Sequence, residues 1–342
     1  MPFPILKLPF LPIQLVLQIL DNLTQNLDSL ALFEFSTCSR KCRRVVSCIR
    51  HKYTGIKILW NGDEGYATIK LETSYGTSYS WKIAEICAGE LYERRKIGNM
   101  TIMIRRQYNQ MYTGGGPLIE KLKEMYKYLI DLFHIPILNF FGYYGAGIQI
   151  PVFPANLEIK KCDEVVVMSH EPIDDDQMKY ILGEMITKKL NLHLPNYSNF
   201  PWESTRFSMD CLNLQLDSKW VSREMFLSLK YPKIYMKGFT SLTSKDVRDF
   251  INQWFNSNDT RLETLLVDLK FDEEPEPIDL SEFNPKPWDP ILRGQYYDKN
   301  RAGKLFGGMD IIRKDGRFAT FRQSSRSIDF FVWKNTLQVE NN

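Results

Sequence analysis

Three cysteines and a histidine crowd together near the start of the chain as Cys38-x3-Cys42-x5-Cys48-x2-His51. Thiolates and an imidazole are the ordinary ligands of structural zinc. The intervals resemble a three-cysteine, one-histidine finger, but two of them are too short. Cys38 and Cys42 stand one helical turn apart and fit small core positions instead. The segment also has an apolar face of its own, where structural zinc ordinarily replaces a core. No metal ligands are assigned.

Gly114-Gly115-Gly116 has the flexibility of a phosphate cradle, but no Gly-Lys-Ser/Thr follows it and no paired Asp is at hand for magnesium. Gly142, Gly145 and Gly147 resemble a dinucleotide fingerprint, yet the chain runs on into Pro151 rather than a helix. The four histidines are scattered, outside any Gly-x-Ser-x-Gly or His-Glu-x-x-His setting. His193 alternates with Leu192 and Leu194 and reads as a solvent-facing strand residue. Asp174-Asp175-Asp176 fits a helix N-terminus, where the helix dipole favours acids. Glu273, Glu274 and Glu276 fall in a proline-rich loop and read as solvated. Arg40, Lys41, Arg43 and Arg44 interleave with apolar residues, as the wet side of a helix does. No catalytic residue and no cofactor site is assigned.

Composition narrows the class further. The chain has 342 residues, 44% hydrophobic and 25% charged, so it is globular. Its 44 basic and 41 acidic residues leave a net charge of +3, which gives no global field for nucleic acid. Six cysteines are too few for a disulfide scaffold, so a reducing, intracellular setting is expected. Pro2, Pro4, Pro9 and Pro12 interrupt the apolar start, with Gln14 and Gln18 inside it, so no secretory leader is expected. The uncharged stretch 132–157 carries polar residues and prolines and reads as strand and loop rather than a bilayer span.

The elements that must position these residues fall into three regions. Residues 1–52 read as helical. Ile13, Val16, Leu17, Ile19 and Leu20 form one apolar face. A second helix, begun after Asn26 or Asp28, turns Leu30 and Phe33 inward. A third, 36–50, uses Cys38, Cys42, Val45, Val46 and Ile49. Residues 53–110 shift to period two, with Ile56, Ile58 and Trp60 alternating, then Ala67, Ile69 and Leu71. A helix at 117–133 carries Ile119, Leu122, Met125, Tyr126, Leu129, Ile130 and Phe133.

From 160 to 270 strands and helices alternate. Met178, Ile181, Leu182, Met185 and Ile186 predict one helical face. Val247, Phe250, Ile251, Trp254 and Phe255 predict another, begun at Thr243 with Asp246. Leu190-Asn191-Leu192-His193-Leu194 is echoed 22 residues later by Leu212-Asn213-Leu214-Gln215-Leu216. Ile234-Tyr235-Met236 and 262–269 supply further strands. This is the period of a leucine-rich repeat, irregular in length. Residues 271–290 read as an acidic, proline-rich loop, and 305–334 as a β-hairpin turned at Asp315-Gly316. The expected fold is α+β or α/β: an N-terminal three-helix segment, then an irregular leucine-rich-repeat-like β–α layer with a C-terminal β-hairpin.

Leu8-Pro9, Val16-Leu17 and Leu20, followed by Leu30, Phe33, Ser36 and Ser39-Arg40-Lys41, resemble an F-box over roughly 3–50. The sequence departs from that pattern at Leu11 and Cys42. Phe3 to Phe10, Leu129–Phe133, Leu242-Thr243-Ser244-Lys245-Asp246 through Trp254, Leu262-Glu263-Thr264-Leu265, 310–317 and Phe331-Val332-Trp333 follow in order. Together they resemble the nematode F-box proteins that carry a type 2 F-box-associated domain.

The resemblance implies an F-box at 1–52 and an associated domain at 53–342. It also implies a non-catalytic adaptor of an SCF (cullin–RING) ubiquitin ligase. Leu8, Pro9, Ile13, Val16, Leu17, Leu20, Leu30 and Phe33 would contact a Skp-type linker, and through it a cullin. The associated domain would recruit an unknown protein substrate, with Tyr197, Trp202, Tyr235 and Trp288 as aromatics that either recruit or fill the core. Neither nucleic acid nor membrane is expected as a partner. The competing readings are a zinc-dependent nucleic-acid binder, an interaction module with a vestigial F-box, and an enzyme whose site assembles only in space.

Overall fold

The apolar period of the N-terminal helices is interrupted at Ser39. Its backbone is extended and its hydroxyl accepts from the Cys42 N–H at 3.1 Å, capping a new helix. Ser29–Cys38 (α1) and Arg40–Ser47 (α2) are therefore the second and third expected helices, with the break between them at Ser39 rather than before Ser36. Cys38 becomes an exposed end, while Cys42, Val45 and Val46 are buried. The computed structural model describes residues 29–49, 53–74, 79–84, 92–107, 110–114, 116–145, 153–195, 209–270, 276–288 and 307–333. The expected helix around 13–20 lies outside them. Tertiary contacts divide the chain into two units, Met1–Val166 and Val167–Asn342, with α1 and α2 inside the first.

The first unit is a sheet with helices over one face. Its strands are Tyr53–Asn61 (β1), Tyr66–Thr73 (β2), Tyr79–Ala84 (β3), Glu93–Ile97 (β4), Met100–Gln107 (β5) and Gln110–Gly114 (β6). The helix Leu118–Phe133 (α3) follows, then Ile137–Tyr144 (β7); Lys161–Ser169 (β8) begins in this unit and ends in the second. The spatial order from β7 is β7-β1-β2-β3-β6-β5-β4. Ile56, Ile58, Trp60, Ala67, Ile69, Leu71, Trp81 and Ile83 are buried, and their sequence neighbours on the strands are half-buried. That alternation is the mark of a sheet covered on one side. The cover is α3, which buries Leu122, Met125, Leu129, Leu132 and Phe133. α3 ends at His134, which takes up the left-handed conformation at φ 51°.

The second unit opens on Asp175–Lys179 (α4), capped by Asp174, whose carboxylate accepts from the Asp176 N–H at 2.8 Å. The expected helical face buries Met178, Ile181, Leu182 and Met185 but stops short of Ile186. The chain loosens into a π-turn at Tyr180–Glu184, and Ile186 starts Ile186–Leu194 (β9), where it is 60% exposed. The period-two run that buries Thr187, Leu190, Leu192 and Leu194 wins over the last helical turn. Cys211–Leu216 (β10), Arg223–Ser228 (α5), Lys233–Met236 (β11), Ser244–Asn256 (α6) and Thr264–Asp268 (β12) complete a parallel ladder. Thr243 and Asp246 form a capping box at the head of α6, as their spacing predicts.

The 22-residue echo lies in phase. Leu212 pairs with Leu190, Asn213 with Asn191, and Leu214 with Leu192. Leu190, Leu212, Ile234 and Leu265 thus make one buried row across four parallel strands. Gly238 follows β11 at φ +99°, and a Cβ there would stand 2.5 Å from the Leu216 carbonyl oxygen. The acidic segment contains a 3-10 turn at Ser281–Phe283 and a two-residue strand, Lys286–Pro287 (β13). Met309–Ile312 (β14), Phe318–Gln323 (β15) and Ser327–Val332 (β16) form an antiparallel meander. β16 pairs with β12, so the order is β9-β10-β11-β12-β16-β15-β14-β13. The chain is therefore mixed α/β, rich in sheet and poor in helix.

Candidate functional site

Leu30 and Phe33 are the two predicted linker-contact residues that the structure describes, and both are fully buried. Phe33 stands edge-on to Trp81 of β3 at 5.8 Å and to Tyr128 of α3 at 5.7 Å. Ser36 and the Tyr128 hydroxyl are hydrogen-bonded at 2.8 Å, and the Arg43 guanidinium lies over the Tyr128 ring at 4.6 Å. Burial pushes the Tyr128 phenol up, against the pull of Ser36 and Arg43. The basic run is thus divided: Arg43 is held by Tyr128 and by Asp131 at 3.6 Å, while Arg40, Lys41 and Arg44 are exposed. Leu8, Pro9, Ile13, Val16, Leu17 and Leu20 lie outside the described residues.

A cleft of about 450 Å³ opens in the second unit, lined chiefly by Leu229, Tyr231, Phe250, Trp254, Asp259 and Arg261. This volume is in the range of small-ligand pockets. Its walls come from the last turn of α6, the loop into β12, and the residues before β11. Beneath it, the buried Arg313 guanidinium donates to the carbonyl of Trp254 at 3.2 Å and of Asp259 at 2.8 Å. It also ion-pairs with Asp315 and lies over the Trp254 indole at 5.0 Å. Trp254 meets Phe330 of β16 edge-on at 5.1 Å.

The Tyr231 hydroxyl and the Trp254 indole N–H are buried with no hydrogen-bond partner among the described residues. Burial pushes the Tyr231 phenol up, so it stays protonated. Partial burial pushes the Asp259 carboxyl up. Hydrogen bonds from the Arg261 side chain and backbone outweigh this and leave it below the usual range. The cleft is built to hold a shape and offer donors. Among the described residues no histidine or cysteine lines it.

The other candidates do not converge. Cys38 and Cys48 are exposed thiols and Cys42 is a buried one; His51 lies outside the described residues. Among the described residues no group of three or more Cys, His, Asp or Glu is placed to hold a metal. Gly142 sits on strand β7, and Gly147 lies outside the described residues. His193 is half-buried on the outward face of β9, and burial lowers its pKa. Tyr235 is buried, Trp288 is half-buried, and Tyr197 and Trp202 lie outside the described residues. No helix among the described residues is long and apolar enough to cross a membrane. Sequence reasoning missed Tyr231 and Asp259. It met Arg313 only as part of a family motif, although a cation after the apolar pair Ile311-Ile312 is a signal that a buried acceptor awaits it.

Residues 205–267, which include most of the parallel ladder and much of the cleft wall, match the family model described as "F-box associated". The chain is also similar to an uncharacterized protein of Caenorhabditis elegans. The two are 21% identical over 365 residues, covering 97% of this chain and 78% of the relative. No solved structure matches. The first finding agrees with the F-box-associated resemblance of the sequence over 205–267, and the second adds a nematode relative.

Proposed function

We propose that the protein is an intracellular, non-catalytic adaptor of an SCF (cullin–RING) ubiquitin ligase that recruits a protein substrate. The F-box-associated match over 205–267 carries this reading. In it, Leu8, Pro9, Ile13, Val16, Leu17 and Leu20 contact the Skp-type linker. Leu30 and Phe33, the other two residues of that set, are buried, and Phe33 packs on Trp81 and Tyr128, so both hold the helical segment in place instead. A helix-in-groove contact with the linker covers apolar surface that so short a helical segment cannot bury alone. The parallel ladder is then an irregular leucine-rich-repeat-like layer that presents loops to a substrate.

The test is capture of a Skp-type linker by the full chain, beside Leu8→Asp and Val16→Asp. Capture by the parent and its loss in both variants is the expected result. A parent chain that fails to capture the linker overturns the adaptor reading.

A further inference from the structure

Among the described residues the sheet of the first unit is covered on one face, and the register fixes what the other face shows. Phe141, Leu59, Thr68, Lys82, Tyr112 and Arg105 pair across β7, β1, β2, β3, β6 and β5 as one outward row. All six are half-buried, whereas their inward neighbours Phe140, Ile58, Ile69, Ile83, Met111 and Ile104 are buried. Alternation places Lys57, Lys70, Arg94 and Lys96 on the same outward face.

The face is strongly one-signed. Six cations, Lys57, Lys70, Lys82, Arg94, Lys96 and Arg105, share it with two strand carboxylates, Glu72 and Glu164. The whole chain carries only +3. Both carboxylates are engaged: Glu72 with Lys57 at 3.3 Å, and Glu164 with the Asn139 amide at 2.5 Å. Among the described residues no carboxylate pairs with Lys70, Lys82, Arg94, Lys96 or Arg105. A hollow of about 430 Å³ lies in the middle of the face, between Tyr66, Lys70, Lys82, Phe141 and Tyr143.

We propose that this face binds an extended acidic peptide segment, its carboxylates laid across Lys70, Lys82 and Arg105. An unpaired field of one sign focuses the opposite charge and sets specificity. A single nucleic-acid strand is also anionic, but it needs open rings in succession for its bases. Here the Lys82 ammonium already sits over the Tyr66 ring at 3.5 Å, and Leu59, Thr68 and Lys82 separate Phe141 from Tyr112 along the row. The Tyr66 ring is taken by a cation, and the row does not form a stacking track. The inference deepens the adaptor reading, on which it rests for its biological sense, by naming the chemistry of the recruited segment.

Fluorescence anisotropy of labelled oligo-glutamate with the full chain tests it, beside oligo-glutamine and a single-stranded oligonucleotide of matched charge. Oligo-glutamate is expected to bind, oligo-glutamine not, with affinity falling as salt rises. Lys70→Glu with Lys82→Glu is expected to weaken binding about tenfold, since two surface attractions become repulsions. Lys70→Gln with Lys82→Gln is expected to weaken it less, and both pairs should still capture the Skp-type linker. Equal binding of the two peptides, indifference to both variant pairs, or tighter binding of the oligonucleotide overturns the proposal. Failure here with linker capture intact removes only this inference. Lost linker capture with peptide binding intact removes only the adaptor reading.

Discussion

The strands of the two units use the same alternation and finish their outward faces in different ways. In the second unit several outward side chains satisfy one another. The Asn213 amide donates to Asn191 at 2.9 Å, Lys233 pairs with Glu263 at 3.5 Å, and Arg322 pairs with Asp329. Asp268 accepts from the Gly238 N–H at 2.8 Å. In the first unit the outward cations outnumber their acids and most are left to solvent. A face that completes its own hydrogen bonds adds to stability; a face that leaves charges unpaired adds little and remains available to a partner. The comparison separates a surface shaped by folding from one shaped by what arrives.

Three measurements test that separation, beginning with the largest effect. Phe33→Ala opens a cavity among Trp81, Tyr128 and Leu30 and is expected to cost about 3–5 kcal/mol. In amide hydrogen exchange the loss should fall on β1–β3 and α3, leaving β10–β12 as protected as before. Equal loss in both units would mean that they unfold as one. On the outward faces, Asn213→Ala breaks a satisfied pair and is expected to cost about 1 kcal/mol by urea unfolding. Lys70→Ala should stay within about 0.5 kcal/mol. If the lysine costs as much as the asparagine, the contrast between the faces is wrong.

The smallest effect concerns Glu158. Hydrogen bonds from Lys123 and Lys127 hold its carboxyl down from 4.5 to about 2. A depressed carboxyl contributes stability that is complete above 4.5 and is lost as pH falls toward about 2. Glu158→Gln should remove that part of the acid sensitivity of the first unit, with no change at neutral pH in the slope of stability against pH.

Much of this was legible in the sequence, and the failures have physical reasons. The echo of Leu190–Leu194 in Leu212–Leu216 announced neighbouring strands because leucine stacks on leucine and Asn191 on Asn213 in a parallel ladder. Thr243 and Asp246 announced the start of α6 because a capping box is local chemistry. Asp315-Gly316 announced the β14–β15 turn for the same reason. Period alone misplaced the break at Ser39, where a hydroxyl that can cap competes with the helix around it. It also carried a helix through Ile186, where the strand pattern prevailed. The cleft was invisible because Tyr231, Trp254 and Arg313 come from a pre-strand segment, a helix end and the turn after a strand, and only the fold brings them together. The six linker-contact residues before Leu30 lie outside the described residues.

The last strand of the second unit's sheet carries a consequence for how the protein behaves in concentrated solution. β13 is two residues long, Lys286-Pro287, and among the described residues pairs only with β14. Proline has no amide hydrogen to offer a passing chain, and lysine charges the rim beside it. A sheet ending this way cannot act as a template for further strands. The ladder that packs so regularly inside the unit is thereby kept from growing, copy upon copy, into a fibre.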